Sequence, residues 1–86
     1  MTFEGEKIQF PVMCYYKVIA EDLPGMEFII ETILIENHVK SPAVKGNKSA
    51  GGKYVTYNIE VFVNSLESMN AIDHALRNIK GVRMVL

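Results

Sequence analysis

The stretch Lys53 to Val63, KYVTYNIEVFV, constrains the fold of this chain more than any other. Val55, Tyr57, Ile59, Val61 and Val63 fall on one side of it, and Tyr54, Thr56, Asn58, Glu60 and Phe62 on the other. A period of two built from β-branched and aromatic residues specifies a strand with one side buried. The stretch therefore reads as a central strand, around which the other elements must be arranged.

Val12 to Ala20 reads as the first strand, entered through Pro11, whose missing N–H suits a strand start. With Lys17 to solvent, Val12, Cys14, Tyr16 and Val18 point inward, and Met13, Tyr15 and Ile19 share the open side with Lys17. Glu21 to Gly25 is a turn, with Asp22 as a helix cap and Pro24 in the first helical turn. Met26, Ile29, Ile30, Ile33 and Asn37 follow helical spacing, and Phe28, Leu34 and Ile35 widen the apolar stripe. This helix is expected to end near His38, before Ser41-Pro42.

Ala43, Val44 and Lys45 suit a short edge strand, and Ser49 to Gly52 a turn that closes a hairpin onto the central strand. Asn64 is expected to cap a second helix, with Glu67 completing a capping-box pattern. Leu66, Met69, Ile72, Leu76 and Ile79 form its buried stripe, and Gly81 suits the position just past its end. Val82 to Leu86 is a short last strand. Strict alternation sends Val82, Met84 and Leu86 inward and Arg83 and Val85 outward.

The order strand, helix, strand, strand, helix, strand predicts an α+β, ferredoxin-like split βαβ fold. Right-handed crossovers put both helices on one face of a four-stranded antiparallel sheet. The opposite face is then bare and carries Met13, Tyr15, Lys17, Ile19, Thr56, Asn58, Glu60, Phe62, Arg83 and Val85. Met13, Tyr15, Lys17, Ile19, Asn58, Glu60, Phe62 and Arg83 are the candidate interaction surface, because a contiguous half-apolar patch of this kind marks a binding face. Lys17 and Arg83 could alternatively pair with Glu60 across neighbouring strands.

The 86 residues suit one domain, expected over 10–86 behind a flexible tail at 1–9. An apolar fraction of 49% with 22% charge is that of a globular chain. The net charge of −1 argues against a dedicated nucleic-acid binder. Cys14 is the lone cysteine, which leaves no intrachain disulfide and fits a reducing cytoplasm. Glu4, Glu6 and Lys7 interrupt the N-terminal stretch, so no signal peptide is visible, and no apolar run reaches membrane-span length.

Few chemistries survive inspection of the residues. Cys14, His38 and His74 fall on three different elements, which does not suit a zinc centre, and there is no CxxC pair for a copper site. No Cys or Ser stands beside a histidine in a pattern that suggests an activated nucleophile. The loop after the first strand is Glu21-Asp22-Leu23-Pro24-Gly25, without the arginine that the acylphosphatase variant of the fold requires. Gly46 to Lys53, GNKSAGGK, resembles a phosphate loop in composition only: no Ser or Thr follows the lysine, and a strand rather than a helix follows the loop. Lys40, Lys45, Lys48 and Lys53 cluster there without an acid; Lys45, Lys48 and Lys53 could contact an anion weakly, while lysines on an edge strand also guard against edge pairing. The residues indicate no enzyme activity, cofactor or metal.

Three places resemble the YbeD-like proteins, a family of small bacterial proteins of unknown function. They are Tyr16-Lys17-Val18 followed by Leu23-Pro24, the glycine-bearing turn and alternating strand from Ser49 to Ile59, and the closing Val82-Arg83-Met84-Val85-Leu86. The resemblance spans roughly residues 9 to 86 and implies an isolated ferredoxin-like domain close to the ACT regulatory domains that bind amino acids. It carries over no catalytic residue. Some relatives are encoded beside lipoate-attachment enzymes, which implies a regulatory role. The expectation is a non-enzymatic, ACT-like regulatory or interaction module that binds a protein partner, itself or a small-molecule effector. The alternative is an RNA-binding module that stacks bases on Tyr15 and Phe62 as an RRM does, with Gly52 to Tyr57 echoing the RNP1 pattern and Glu60 opposing it.

Overall fold

A computed structural model describes residues 9–86. The expected tail at 1–9 lies outside these residues except for Gln9. The elements are β1 (Val12–Glu21), α1 (Met26–Glu36), β2 (Val44–Lys48), β3 (Tyr54–Val63), α2 (Leu66–Arg77) and β4 (Val82–Val85). They form one four-stranded sheet in the order β2-β3-β1-β4, antiparallel at every pairing. This is the predicted split βαβ fold with β1 and β3 at its centre.

β3 alternates as its sequence demands: Val55, Tyr57, Ile59, Val61 and Val63 are all buried. They join Tyr16, Val18 and Ala20 of β1 and the inner residues of both helices in one apolar cluster. The β1–β3 register runs unbroken from Val12 opposite Val63 to Glu21 opposite Tyr54. Both central strands therefore present every second residue to the helices and the rest to the other face.

α1 is apolar on more than one side, and the structure selects which side is buried. Met26, Ile30 and Leu34 enter the core, while Phe28 is 73% and Ile35 69% exposed and Ile29 is also exposed. The broad stripe read from the sequence thus narrows to an i, i+4, i+8 line, because only one ridge of a helix faces the sheet. Its start is not capped by Asp22. The N-cap is Gly25, at φ +83° with no side-chain cap, and the Asp22 carboxylate is engaged by Lys48 at 2.9 Å.

The far end of α1 closes in a Schellman motif. The Val39 N–H donates to the Leu34 carbonyl (2.8 Å) and the His38 N–H to the Ile35 carbonyl (2.9 Å). His38 takes the left-handed position at φ +65°, where glycine is the usual residue. Buried Val39 and Leu34 supply the apolar contact that accompanies this motif.

α2 begins one residue later than its expected cap. Ser65, not Asn64, is the N-cap, and its Oγ accepts from the Ser68 N–H at 3.0 Å. The Asn64–Glu67 capping box is therefore not formed. Ile72, Leu76 and Ile79 are buried and Met69 is partly so, but Leu66, at the first helical position, is exposed. Gly81 is not the residue just past the helix, because α2 ends at Arg77 with Asn78 as C-cap. It sits in the turn into β4 at φ +99°, where an added Cβ would come within 2.7 Å of the Met26 Cε.

β4 carries the largest departure from simple alternation. Val18 faces Val85 and Ile19 faces Met84, but Ala20 faces Val82, so Arg83 is an extra residue in a bulge. The bulge reverses the sides of the last residues. Val85 is 2% exposed and belongs to the core, whereas Met84 is 49% exposed and Leu86 is exposed. Val85 is therefore removed from the open face, and Met84 and Leu86 join it.

Candidate functional site

The open face is built in rungs across the strands, and paired residues share a face. Met13 stands opposite Phe62, Tyr15 opposite Glu60, Lys17 opposite Asn58 and Ile19 opposite Thr56. β4 extends these rungs with Met84 beside Ile19, and Leu86 exchanges both main-chain hydrogen bonds with Lys17 at 2.9 and 3.0 Å. On the other side Val44 of β2 is paired with Asn58. Neither helix packs on this face.

Seven of the eight residues singled out in the sequence thus share one surface, and the eighth, Arg83, is the extra residue of the β4 bulge. Tyr15 is 68% and Phe62 65% exposed, on adjacent strands one rung apart. A shallow hollow of about 450 Å³ is lined by Tyr15, Lys17, Asn58, Glu60 and Leu86 with Tyr16 and Ile59 at its floor. The face is apolar at both ends, with Met13, Tyr15 and Phe62 at one and Ile19, Met84 and Leu86 at the other. Lys17, Asn58 and Glu60 lie between.

Neither Lys17 nor Arg83 forms an ion pair with Glu60; the ion pairs among the described residues are Asp22 with Lys45 and Lys48, and Arg77 with Asp73. Arg83 instead lies over the Tyr54 ring, 5.9 Å from its centre, and Lys53 approaches the same ring at 5.5 Å. Its position in the bulge puts the guanidinium at this end of the sheet.

The lysines of the hairpin converge on an acid from a different element. Lys48 Nζ is 2.9 Å and Lys45 Nζ 3.9 Å from the Asp22 carboxylate. The hydrogen bond from Lys48 is the main cause that holds the Asp22 carboxyl below its ordinary range, and the same bond raises Lys48. The nearest anion to two of the three candidate lysines is thus the chain's own Asp22.

Cys14 and Tyr16 sit on the helix side of β1 near its start. Burial pushes the Cys14 thiol above its ordinary value of 9.0 against a hydrogen bond with Tyr16. Burial, reinforced by Cys14 and Asp73, pushes the Tyr16 phenol up to about 12. Its hydroxyl donates to the Met69 carbonyl at 3.3 Å. Both groups are protonated at neutral pH, so neither is an activated nucleophile. Among the described residues no three His, Cys, Asp or Glu side chains come together as metal ligands would. Among the described residues no helix is long and apolar enough to cross a membrane.

Met84, Leu86 and Val44 are the members of the open face that sequence reasoning missed. The first two were hidden by the bulge. Val44 follows from the hairpin, whose pairing with β3 sets it beside Asn58 on the open face. A further signal was available in strand lengths: the last strand is far shorter than the first, so part of β1 lacks a neighbour.

The fold and its bare face define a small ACT-like ferredoxin domain. The profile of the family described as Protein of unknown function (DUF493) matches residues 5–86. The chain belongs to that family, the YbeD-like proteins of the sequence resemblance. It is similar in structure to protein HP0495 from Helicobacter pylori, with a TM-score of 0.80, 19% identity and coverage of 100% of this chain and 94% of that one. It is also similar to the ACT domain of GTP pyrophosphokinase from Chlorobium tepidum, with a TM-score of 0.71, 21% identity and coverage of 86% and 94%. At these identities the likeness shows the fold alone. No curated protein matches the sequence.

Proposed function

We propose that this chain is a non-enzymatic regulatory or interaction module that binds a protein surface through its open sheet face. One observation carries the reading: a face that no helix covers bears Met13, Tyr15 and Phe62 at one end and Ile19, Met84 and Leu86 at the other. Exposed aromatics and methionine around a small polar centre are the composition of protein-binding patches. Lys17 and Glu60, in neighbouring rungs without an ion pair between them, supply charges of both signs for orientation.

The test compares affinity capture by the wild type, by Tyr15→Ser with Phe62→Ser, and by Phe28→Ser as a control on the outer side of α1. A partner held by the wild type and by the control but lost from the double variant supports the reading. Absence of any partner that depends on Tyr15 and Phe62 overturns it.

Tyr15 and Phe62 on the two middle strands also favour the RNA-binding alternative. Filter binding across a salt series separates the two, since phosphate contacts give a steep fall in affinity with salt. A small-molecule effector would have room at the β1–α1 turn, where Gly25 has open space around it. Amide shifts from Glu21 to Met26 during amino-acid titration would report it.

A further inference from the structure

β1 is paired along its whole length on one side only. Toward β3 the register covers Val12 to Glu21. Toward β4 it covers Val18 to Ala20, extended by the hydrogen bonds between Lys17 and Leu86. Among the described residues no strand lies beside Val12 to Tyr16 on that side. In an antiparallel ladder alternate residues direct both N–H and C=O to the same neighbour. Lys17 bonds toward β4, and so does Glu21, whose N–H donates to the Gly81 carbonyl at 2.9 Å. By the same alternation Met13 and Tyr15 aim their N–H and C=O groups at the vacant edge.

The two edges of the sheet are treated differently. β2, on one side, carries Lys45 and Lys48, the charged guard that prevents strands from adding. The vacant half of β1 reads Val-Met-Cys-Tyr-Tyr, with no charge and no proline. Beside it lies a cleft of about 390 Å³ between the strand and α2, lined by Cys14, Tyr15, Tyr16, Met69, Asn70, Asp73 and Leu86. Asp73, the acid of that cleft, is already neutralised by Arg77 at 2.8 Å.

We infer that this edge pairs with the same edge of a second copy, joining the two four-stranded sheets into one layer. A second copy suits this edge, because the segment carries no charge to repel its own copy and pairs with itself in register. Val12 to Tyr16 is centred on Cys14, so a two-fold axis there matches Met13 with Tyr15 of the other copy, and Val12 with Tyr16. Every free N–H and C=O of Met13 and Tyr15 is then satisfied. The incoming strand fits the available length: its Val12 falls opposite Tyr16, beside Leu86 opposite Lys17, and the chain bends at Phe10 and Pro11 just before it.

The two-fold axis runs normal to the sheet, so the helices of both copies lie on one side and the open faces merge on the other. Met13, Tyr15 and Phe62 of the two copies meet as one apolar stripe across the junction. No like charges are brought into register, because the segment has none and Asp73 is paired within its own helix. The contact belongs to the small interface class, below about 1,200 Å², so the dimer is weak and concentration-dependent.

Sedimentation across a wide concentration range, together with hydrogen exchange of individual amides, tests this on the full chain alone. The expected result is concentration-dependent association, with Met13 and Tyr15 amides slowed about fivefold once the concentration is about tenfold above the midpoint. Val12, Cys14 and Tyr16, whose amides already serve β3, should respond far less. Met13→Glu with Tyr15→Glu opposes like charges across the axis and should abolish association. Met13→Lys with Tyr15→Glu places opposite charges in register and should retain it. A monomer at all concentrations, or a dimer in which the Met13 and Tyr15 amides exchange freely, overturns the inference. Because no partner protein or nucleic acid is present, the outcome is independent of what the open face binds.

Discussion

The bulge in β4 makes a sharp prediction about two adjacent residues. Val85 packs beside Val18 at 2% exposure, while its neighbour Met84 is 49% exposed on the other side of the sheet. Val85→Ala removes two buried methyl groups, about 1.6 kcal/mol of transfer free energy at about 0.8 kcal/mol per carbon. The cavity left between β4, β1 and α2 adds to this, because the Arg77 guanidinium holds the Val85 carbonyl at 2.9 Å and limits collapse. The expected loss is about 2–3 kcal/mol. Met84→Ala removes a larger side chain, but half of it is already in water and solvent fills the space, so the expected loss is about 1 kcal/mol or less.

Urea unfolding measures both as midpoint shifts at constant slope. In thermal unfolding each kcal/mol corresponds to about 4–8 °C for a domain of this size. A larger loss for Met84→Ala than for Val85→Ala would restore uninterrupted alternation in β4. It would place Met84 in the core, return Val85 to the open face, and refute the reasoning from the bulge.

Further outcomes follow from the turn geometry and the ion pairs. His38→Gly relieves a left-handed conformation that costs a side-chain-bearing residue roughly 1 kcal/mol or more, offset in part by the greater freedom of glycine in the unfolded chain. A net gain of about 0.5 kcal/mol in denaturant unfolding is expected; a loss would mean that the His38 side chain contributes contacts of its own. The Asp22–Lys48 pair tethers the hairpin to the β1–α1 turn with a definite pH dependence. The lowered carboxyl contributes stability that is present above its ordinary value of 3.8 and lost as pH falls through its folded value. The raised Lys48 contributes stability that is present below 10.5 and lost as pH rises through its folded value. Protection factors of the Val44 to Lys48 amides, taken relative to the unstructured rate at each pH, should therefore be highest between these limits, and Asp22→Asn should flatten the acid side of that profile.

Sequence patterning alone determined the order of elements, the sheet with β1 and β3 at its centre, and the residues of these two strands that face away from the helices. Alternation over ten residues is strong because a one-residue slip would expose every buried side chain of β3. β4 carries no such constraint. Four residues are too few to reveal a bulge, and only the pairing of Val18 with Val85 and Ala20 with Val82 decided which side Met84 and Val85 take.

α1 posed the converse problem. A helix apolar on several sides has no preferred inward face, so contact with the sheet had to choose Met26, Ile30 and Leu34 over Phe28 and Ile35. Asp22 had the residue type of a cap, yet the N-cap of the helix falls three residues past it, at Gly25, and the hairpin brings Lys45 and Lys48 to its carboxylate instead. Local rules settle what one segment can decide by itself. The unpaired half of β1, the reversed end of β4 and the charges gathered at Asp22 depend on which segments meet, and the three-dimensional fold alone brings those segments together.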